Sequence, residues 1–436
     1  MSLYKQRREL LNQQLDRNSV VIIVGNTQKT RSKNIKYHFR ADNDLFYFSG
    51  FAEPDAIAVL RPGHEHPFVL FNRGKDEAAE INFGQRAGQQ GAIQQFHADL
   101  AFDVLSVEQN LPQLLEHRTK VYYLDEQGLY QHRIFDWINQ QRQTTPFDKI
   151  KYHRQLLPFA PIVHNMRVLK SPEEIAKIKL AVKASTHAHR AVMRQLKPGL
   201  NEGQLEATFL REIANHGSKE VCYPSIVAGG NNACCLHYED NNCSLADGDL
   251  LLIDAGGEYQ HYCSDITRTM PINGKFSVEQ TQLYQLVLNA IDEAIAQLKP
   301  GLCWSQIYTT CMQVLAQGLI DLGILTGSFD EVWQSESYKQ FTIHKTGHFL
   351  GLDVHDVGSY HDNQGQWLKL QENMVFTIEP GIYIPQHCLT VEEKWRGIGL
   401  RVEDDILITK TGYENLSAAV PRTISEIESL MSSAEE

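Results

Sequence analysis

The sequence predicts an α+β fold in two domains: an α/β domain over residues 1–168 and a larger domain over 169–436 built from two related halves. Three observations predict it. The chain has 436 residues, too many for one ordinary core. Up to about residue 165, short apolar runs alternate with amphipathic stretches. Beyond that, the hexapeptide Gln-Leu-Lys-Pro-Gly-Leu occurs twice, at Gln195–Leu200 and Gln297–Leu302, each copy ending one helical pattern and preceding another.

In the first domain Val20–Val24, Ala56–Leu60, Phe68–Phe71 and Val121–Leu124 read as strands, and Leu105–Glu116 and Gln127–Gln141 as amphipathic helices. Neither G-x-G-x-x-G nor G-x-x-x-x-G-K-S/T occurs there, so no phosphate loop is expected. In Arg40–Gly50, RADNDLFYFSG, aromatics alternate after Asp44, which reads as a buried strand with a polar edge.

The second domain opens at Leu169-Lys-Ser-Pro-Glu-Glu. Ser171 is placed at an N-cap, Pro172 at N1 and Glu174 at N3, a capping box ahead of a long helical pattern. Each hexapeptide is followed by an amphipathic helix, Glu202–His216 and Ser305–Leu322, and then by strand-rich sequence. Long connections between the strands make this an α+β arrangement rather than a βαβ array. Two halves that share a sheet leave a cleft where they meet.

Leu250–Thr269, LLLIDAGGEYQHYCSDITRT, reads as a hairpin turning at Tyr259 and Gln260, which sets Asp254 opposite Asp265 on one face. Facing carboxylates in an apolar sheet require a cation, a shared proton or a basic partner. The second half supplies further candidates. His348 stands in HKTGH, Glu379 ends an apolar strand before Pro380-Gly381, and Arg401 and Glu403 share a face in GLRVEDD, with Asp404 turned away. Asp254, Asp265, His348, Glu379 and Glu403 are four carboxylates and one imidazole. That set fits two hard or borderline divalent ions such as Mn²⁺ better than a structural zinc, which prefers Cys and His.

Composition bounds the partners. Hydrophobic residues make up 42% and charged residues 22%, as in a soluble globular protein. The net charge of −12 argues against nucleic acid. No run approaches the ~18 apolar residues of a membrane span. The start, MSLYKQRRELLNQQL, has no apolar signal region, so a cytoplasmic location is expected. All eight cysteines lie after residue 221 without a C-x-x-C pair, and read as free thiols in a reduced compartment.

The pieces IDAG at 253–256, SDITRT at 264–269, H-x-x-x-H-x-L-G-L-D-V-H-D at 344–356, TIEPGIYI at 377–384 and GIGLRVEDDI at 397–406 resemble the aminopeptidase P branch of the creatinase/methionine-aminopeptidase family. RADNDLFYFSGF, VLFNR and FGQRAG extend the resemblance through the first domain. It implies a creatinase-like N-terminal domain ahead of a pseudo-two-fold "pita-bread" catalytic domain. It also implies an Xaa-Pro aminopeptidase holding two divalent ions, Mn²⁺ foremost, and a homo-oligomer (dimer or tetramer). By the same resemblance Asp254 chelates one ion, Asp265 and Glu403 bridge both, and His348 and Glu379 complete the second. Glu379 is the proton carrier. His237 and His355 match histidines that bond the substrate and the developing oxyanion, His344 a further cleft histidine, and Tyr383 and Arg401 positions lining or backing the cleft. A prolidase cleaving only Xaa-Pro dipeptides is the nearest alternative. A metal-free creatinase-type hydrolase and a non-enzymatic binding module are disfavoured by the complete ligand set. Two positions depart from the pattern. Cys263 falls on the face of Asp265 and reads as a small buried hydrophobe. Asn82 stands where bacterial relatives often carry Trp.

Overall fold

The computed structural model describes residues 2–143 and 155–433, and the chain divides into two compact units, Met1–Val163 and His164–Glu436. In the first, six strands form one sheet in the order Leu100–Asp103, Phe68–Asn72, Ile57–Leu60, Ser19–Val24, Lys120–Leu124, Gln155–Pro158. The central run Ser19–Val24 is buried throughout, which is why it reads as continuously apolar rather than alternating. Val20, Ile22, Val59, Phe71, Leu111 and Trp137 form the core on one face of this sheet.

The four expected strands of this unit form within one residue of their expected ends. The expected helices start late. Val107–Leu114 follows a 3₁₀ turn at Val104–Ser106, and Gln131–Gln143 follows a turn in which both Asp125 carboxylate oxygens accept backbone N–H groups, from Leu129 and Tyr130. The strand expected in RADNDLFYFSG is a helix, Asn43–Ser49. Asp42 caps it by accepting the Leu45 N–H, Ser49 Oγ donates to the Leu45 carbonyl, and Gly50 ends it at φ +69°. Every side chain from Asp44 to Ser49 is buried, so the alternation of aromatics did not mark a face. Asn82 lies on the Glu77–Phe83 helix, which buries none of its side chains, and its Nδ2 donates back to the Ala78 carbonyl at 2.8 Å.

The second unit opens with Pro172–Gln195, capped by the Ser171–Glu174 box. This helix packs on Glu202–Asn215, and Val278–Ala296 packs on Trp304–Asp321, giving one helix pair per half. The first half holds the antiparallel sheet Ile226–Gly229, Leu250–Asp254, Thr267–Pro271. The second holds Val375–Ile378, Asp404–Ile408, Tyr413–Asn415, with Gly381–Ile384 pairing Ile398–Arg401 beside it. The His348 segment runs antiparallel along Val375–Ile378: the Thr377 N–H donates to the His348 carbonyl at 2.9 Å, and the Glu379 N–H to Thr346 at 3.1 Å. Among the described residues no helix is long and apolar enough to cross a membrane.

Candidate metal centre and active site

The hairpin carrying the first two acids departs from its expected register. The turn residues are Gln260 and His261, both at positive φ, so Tyr259 faces Tyr262 and Asp254 faces Thr267, not Asp265. Neither turn residue is Gly or Asn, so the sequence did not mark the turn. Asp265 lies two residues from Thr267 and therefore keeps the parity that leaves it on the face of Asp254. The hairpin also splits. Its open end belongs to the sheet with Ile226–Gly229, and its tip, Gly257–Tyr259 with Tyr262–Cys263, joins Glu220–Val221 in another. The strands close tightly at the split: a Cβ on Gly256 would sit 1.8 Å from the Ser264 carbonyl oxygen. Both aspartates emerge beside this constriction.

The floor of the site is acidic and buried. Asp265, Glu403 and Asp254 are 4%, 2% and 8% exposed. Ligand atoms of Asp265, His348 and Glu403 lie within 4.8 Å of one another. His348 Nε2 is 3.3 Å from Asp265 Oδ2 and 3.7 Å from Glu379 Oε1. Its Nδ1 lies 3.0 Å from the Phe349 carbonyl, so Nδ1 donates there and Nε2 is the nitrogen turned to the acids. Thr267 Oγ1 donates to Glu403 Oε2 at 2.7 Å.

These carboxylates do not coexist easily as anions. Burial, then repulsion from Asp254, pushes Asp265 well above the carboxylate range, and burial with Asp265 does the same to Glu403. Burial, then Glu403, lifts Glu379 to about 8. Burial also works to raise Asp254, but Arg401 and Tyr223 outweigh it and hold that group low. Arg401 Nη2 donates to Asp254 Oδ2 at 2.5 Å, and its Nη1 to Tyr383 Oη at 2.7 Å. Tyr223 donates its single hydroxyl hydrogen between Asp254 Oδ1, at 2.6 Å, and Asp265 Oδ1. One guanidinium and one phenol hydrogen cannot offset four ionised carboxylates, so without a cation the floor holds protons in their place. Oxygen-rich donors with one bare imidazole nitrogen are the set that hard or borderline divalent cations take, so the residues fit a metal centre.

Histidines surround this floor. His344 accepts from Tyr383 at Nε2 (2.8 Å), and its Nδ1 faces the Lys345 carbonyl at 2.7 Å and Glu379 Oε2 at 3.4 Å. Burial, then Arg401, lowers His344 to about 4, so the ring is neutral. His355 packs edge-on against His348, with centroids 4.3 Å apart, and is lowered by burial and by its neighbours His348 and His237. His237 and His355 are exposed, whereas Tyr383 and Arg401 are buried. Contacts join Asp254, Asp265, His348, Glu379, Glu403, His344, His355, Tyr383 and Arg401 into one cluster, and His237 lies near enough to His344 and His355 to lower both.

Sequence reasoning missed Tyr223, Thr267 and Asp405. Asp405 is fully buried, and its Oδ2 accepts the Asp265 N–H at 3.1 Å. No spacing rule marked Tyr223, which reaches the acids from the loop before Ile226. Cys263 is buried with Sγ 3.6 Å from the Leu352 carbonyl.

Residues 176–410 match the model of metallopeptidase family M24, and residues 4–122 that of the aminopeptidase P N-terminal domain. The chain is 39% identical over 434 residues to the Xaa-Pro aminopeptidase of Escherichia coli K12, covering 99% of this chain and 98% of that protein. It is similar to the structure of Pseudomonas aeruginosa aminopeptidase PepP, with TM-score 0.96 and 42% identity over 99% of this chain and 98% of that one. It is also similar to zinc-substituted E. coli aminopeptidase P in complex with product, with TM-score 0.95 and 38% identity over 100% and 99% of the two chains. The chain belongs to metallopeptidase family M24 and carries, ahead of its catalytic domain, the N-terminal domain of aminopeptidase P.

Proposed function

We propose that this protein removes the first residue from peptides with proline in second position, using two divalent ions, Mn²⁺ foremost. The observation that carries the reading is the convergence of Asp254, Asp265, His348, Glu379 and Glu403 on a buried floor whose carboxyl groups ionise together only if a cation joins them. The ions, when bound, supply Lewis acidity and a water acidic enough to yield a nucleophile near neutral pH.

The protein's own groups do the rest. Glu379 takes the water's proton at a carboxylate oxygen and delivers it to the departing prolyl nitrogen. The exposed His237 and His355 hydrogen-bond the substrate and the oxyanion developing on the first residue's carbonyl. Neutral His344 lines the cleft beside Glu379, held by Tyr383. Arg401 fixes the Asp254 carboxylate, near which the free N-terminus binds. Proline at the second position offers no N–H and a fixed φ, so recognition depends on a shaped pocket rather than a backbone ladder.

Relatives named Xaa-Pro aminopeptidase support an aminopeptidase acting on oligopeptides over a prolidase restricted to dipeptides. Hydrolysis of Arg-Pro-Pro beside Gly-Pro tests this: cleavage of the tripeptide is expected, and activity on the dipeptide alone contradicts it. We place the protein in the cytoplasm, in keeping with eight free cysteines, and as a homo-oligomer. A monomer mass in light scattering rejects the oligomer.

A further inference from the structure

The repeated hexapeptide does the same backbone work twice. Gly199 and Gly301 both stand at positive φ, +85° and +90°. The Gly199 N–H donates to Leu245 and the Gly301 N–H to Leu370, at 2.9 and 2.8 Å. Leu245 and Leu370 donate back to Leu200 and Leu302, each at 2.8 Å. Asn201 bridges Ser244 as Cys303 bridges Lys369. The segments so held, 243–245 and 368–370, precede the strand that ends at Asp254 and the strand that ends at Ile378, just before Glu379. After Asn201 and Cys303 the next residue opens the following helix in each half, Glu202 in one and Trp304 in the other.

Glu202 is 0% exposed and has no ion-pair partner among the described residues. Four neutral donors satisfy it instead. Its Oε1 accepts the Gly229 N–H at 2.8 Å and Asn232 Nδ2 at 3.0 Å, and its Oε2 accepts the Cys243 N–H at 2.8 Å and the Tyr238 hydroxyl at 2.9 Å. These donors come from both sides of His237, so one buried carboxylate ties the exposed His237 loop at four points. A buried carboxylate is stable there only while its donors stay in place, which makes the loop geometry steep rather than soft. In the other half Trp304 performs the matching task with aromatic contacts: its ring lies 5.0 Å from Phe349, 4.8 Å from Tyr360 and 5.1 Å from Phe376. Phe349 follows His348, and its carbonyl faces His348 Nδ1.

We infer that Glu202 is a positioning residue for His237, fixing the loop that presents its imidazole to substrate, as Trp304 does for the His348 segment. The inference rests on the proposed role of His237. Glu202→Gln keeps the volume but turns one acceptor into a donor against the loop's own donors. The test is a double-mutant cycle of Glu202→Gln with His237→Ala, measuring kcat, KM and metal content on Arg-Pro-Pro. Glu202→Gln is expected to lower kcat about tenfold or more while metal content stays at the wild-type level. The double variant is expected to be no worse than His237→Ala alone. Wild-type kcat in Glu202→Gln, or losses that multiply in the double variant, overturn the positioning role and leave His237 standing. Wild-type kcat in His237→Ala overturns the reading of His237 and the inference with it. Should Glu202→Gln fail to fold, Tyr238→Phe removes a single donor and takes its place in the cycle: a kcat loss that vanishes in the His237→Ala background supports the inference, and an unchanged kcat overturns it.

Discussion

Asp265 carries the most strain on this site's charge. It is buried, shares the Tyr223 hydroxyl with Asp254 on the same face, and donates its backbone N–H to Asp405. Replacing it with Asn removes one anion but also a cation ligand in the position nearest His348. Asp265→Asn is therefore expected to abolish turnover and lower metal content together, as metal analysis and peptide hydrolysis on one preparation will read. Full turnover with both ions retained contradicts the assignment. The acids and histidines were legible because each lies at the end of an apolar run or in a motif the family shares. Tyr223 and Asp405 were not, since their importance comes from where the fold delivers them and neither spacing nor residue type marks them.

At the level of elements, the hairpin from Leu250 to Pro271 depends on a backbone approach that only Gly256 permits. A methyl group there must displace Ser264, and with it the strand carrying Asp265. Gly256→Ala is expected to cost about 1–3 kcal/mol in chemical denaturation and to weaken metal binding in the folded protein. Unchanged stability and affinity would show that the strands separate freely. Apolar runs announced this hairpin, but its turn was placed one residue early because Gln260 and His261 adopt positive φ without the residues that usually advertise it. The helix at Asn43–Ser49 escaped for a different reason. Burial on all sides erases periodicity, leaving only the cap at Asp42 and the terminal Gly50 as signals.

Across the whole molecule, the catalytic unit depends on a buried neutral histidine. His189, on the Pro172–Gln195 helix, is 0% exposed, and its Nε2 donates to the Ala255 carbonyl at 3.0 Å, next to Asp254. Burial depresses it to about 4. The unfolded chain therefore takes up a proton near pH 6.5 that the folded protein refuses until about pH 4. Stability from this group is complete above the unfolded value and falls across that window, by about 3 kcal/mol. Denaturation profiles of the metal-free protein should show this slope, and His189→Gln should flatten it; parallel profiles would contradict the account. The duplicated architecture was legible from six repeated residues, whereas the different side chains that follow them, Glu202 and Trp304, acquire meaning only in three dimensions.

The acidic floor of Asp254, Asp265, Glu379 and Glu403 is built to hold metal for peptide hydrolysis. The most direct test is elemental analysis paired with Arg-Pro-Pro hydrolysis on protein purified with Mn²⁺, then stripped by chelator, then resupplied. The account predicts two ions per chain, loss of activity with the ions and recovery on adding Mn²⁺. Protein that retains no metal and cleaves the peptide regardless of chelator would contradict it.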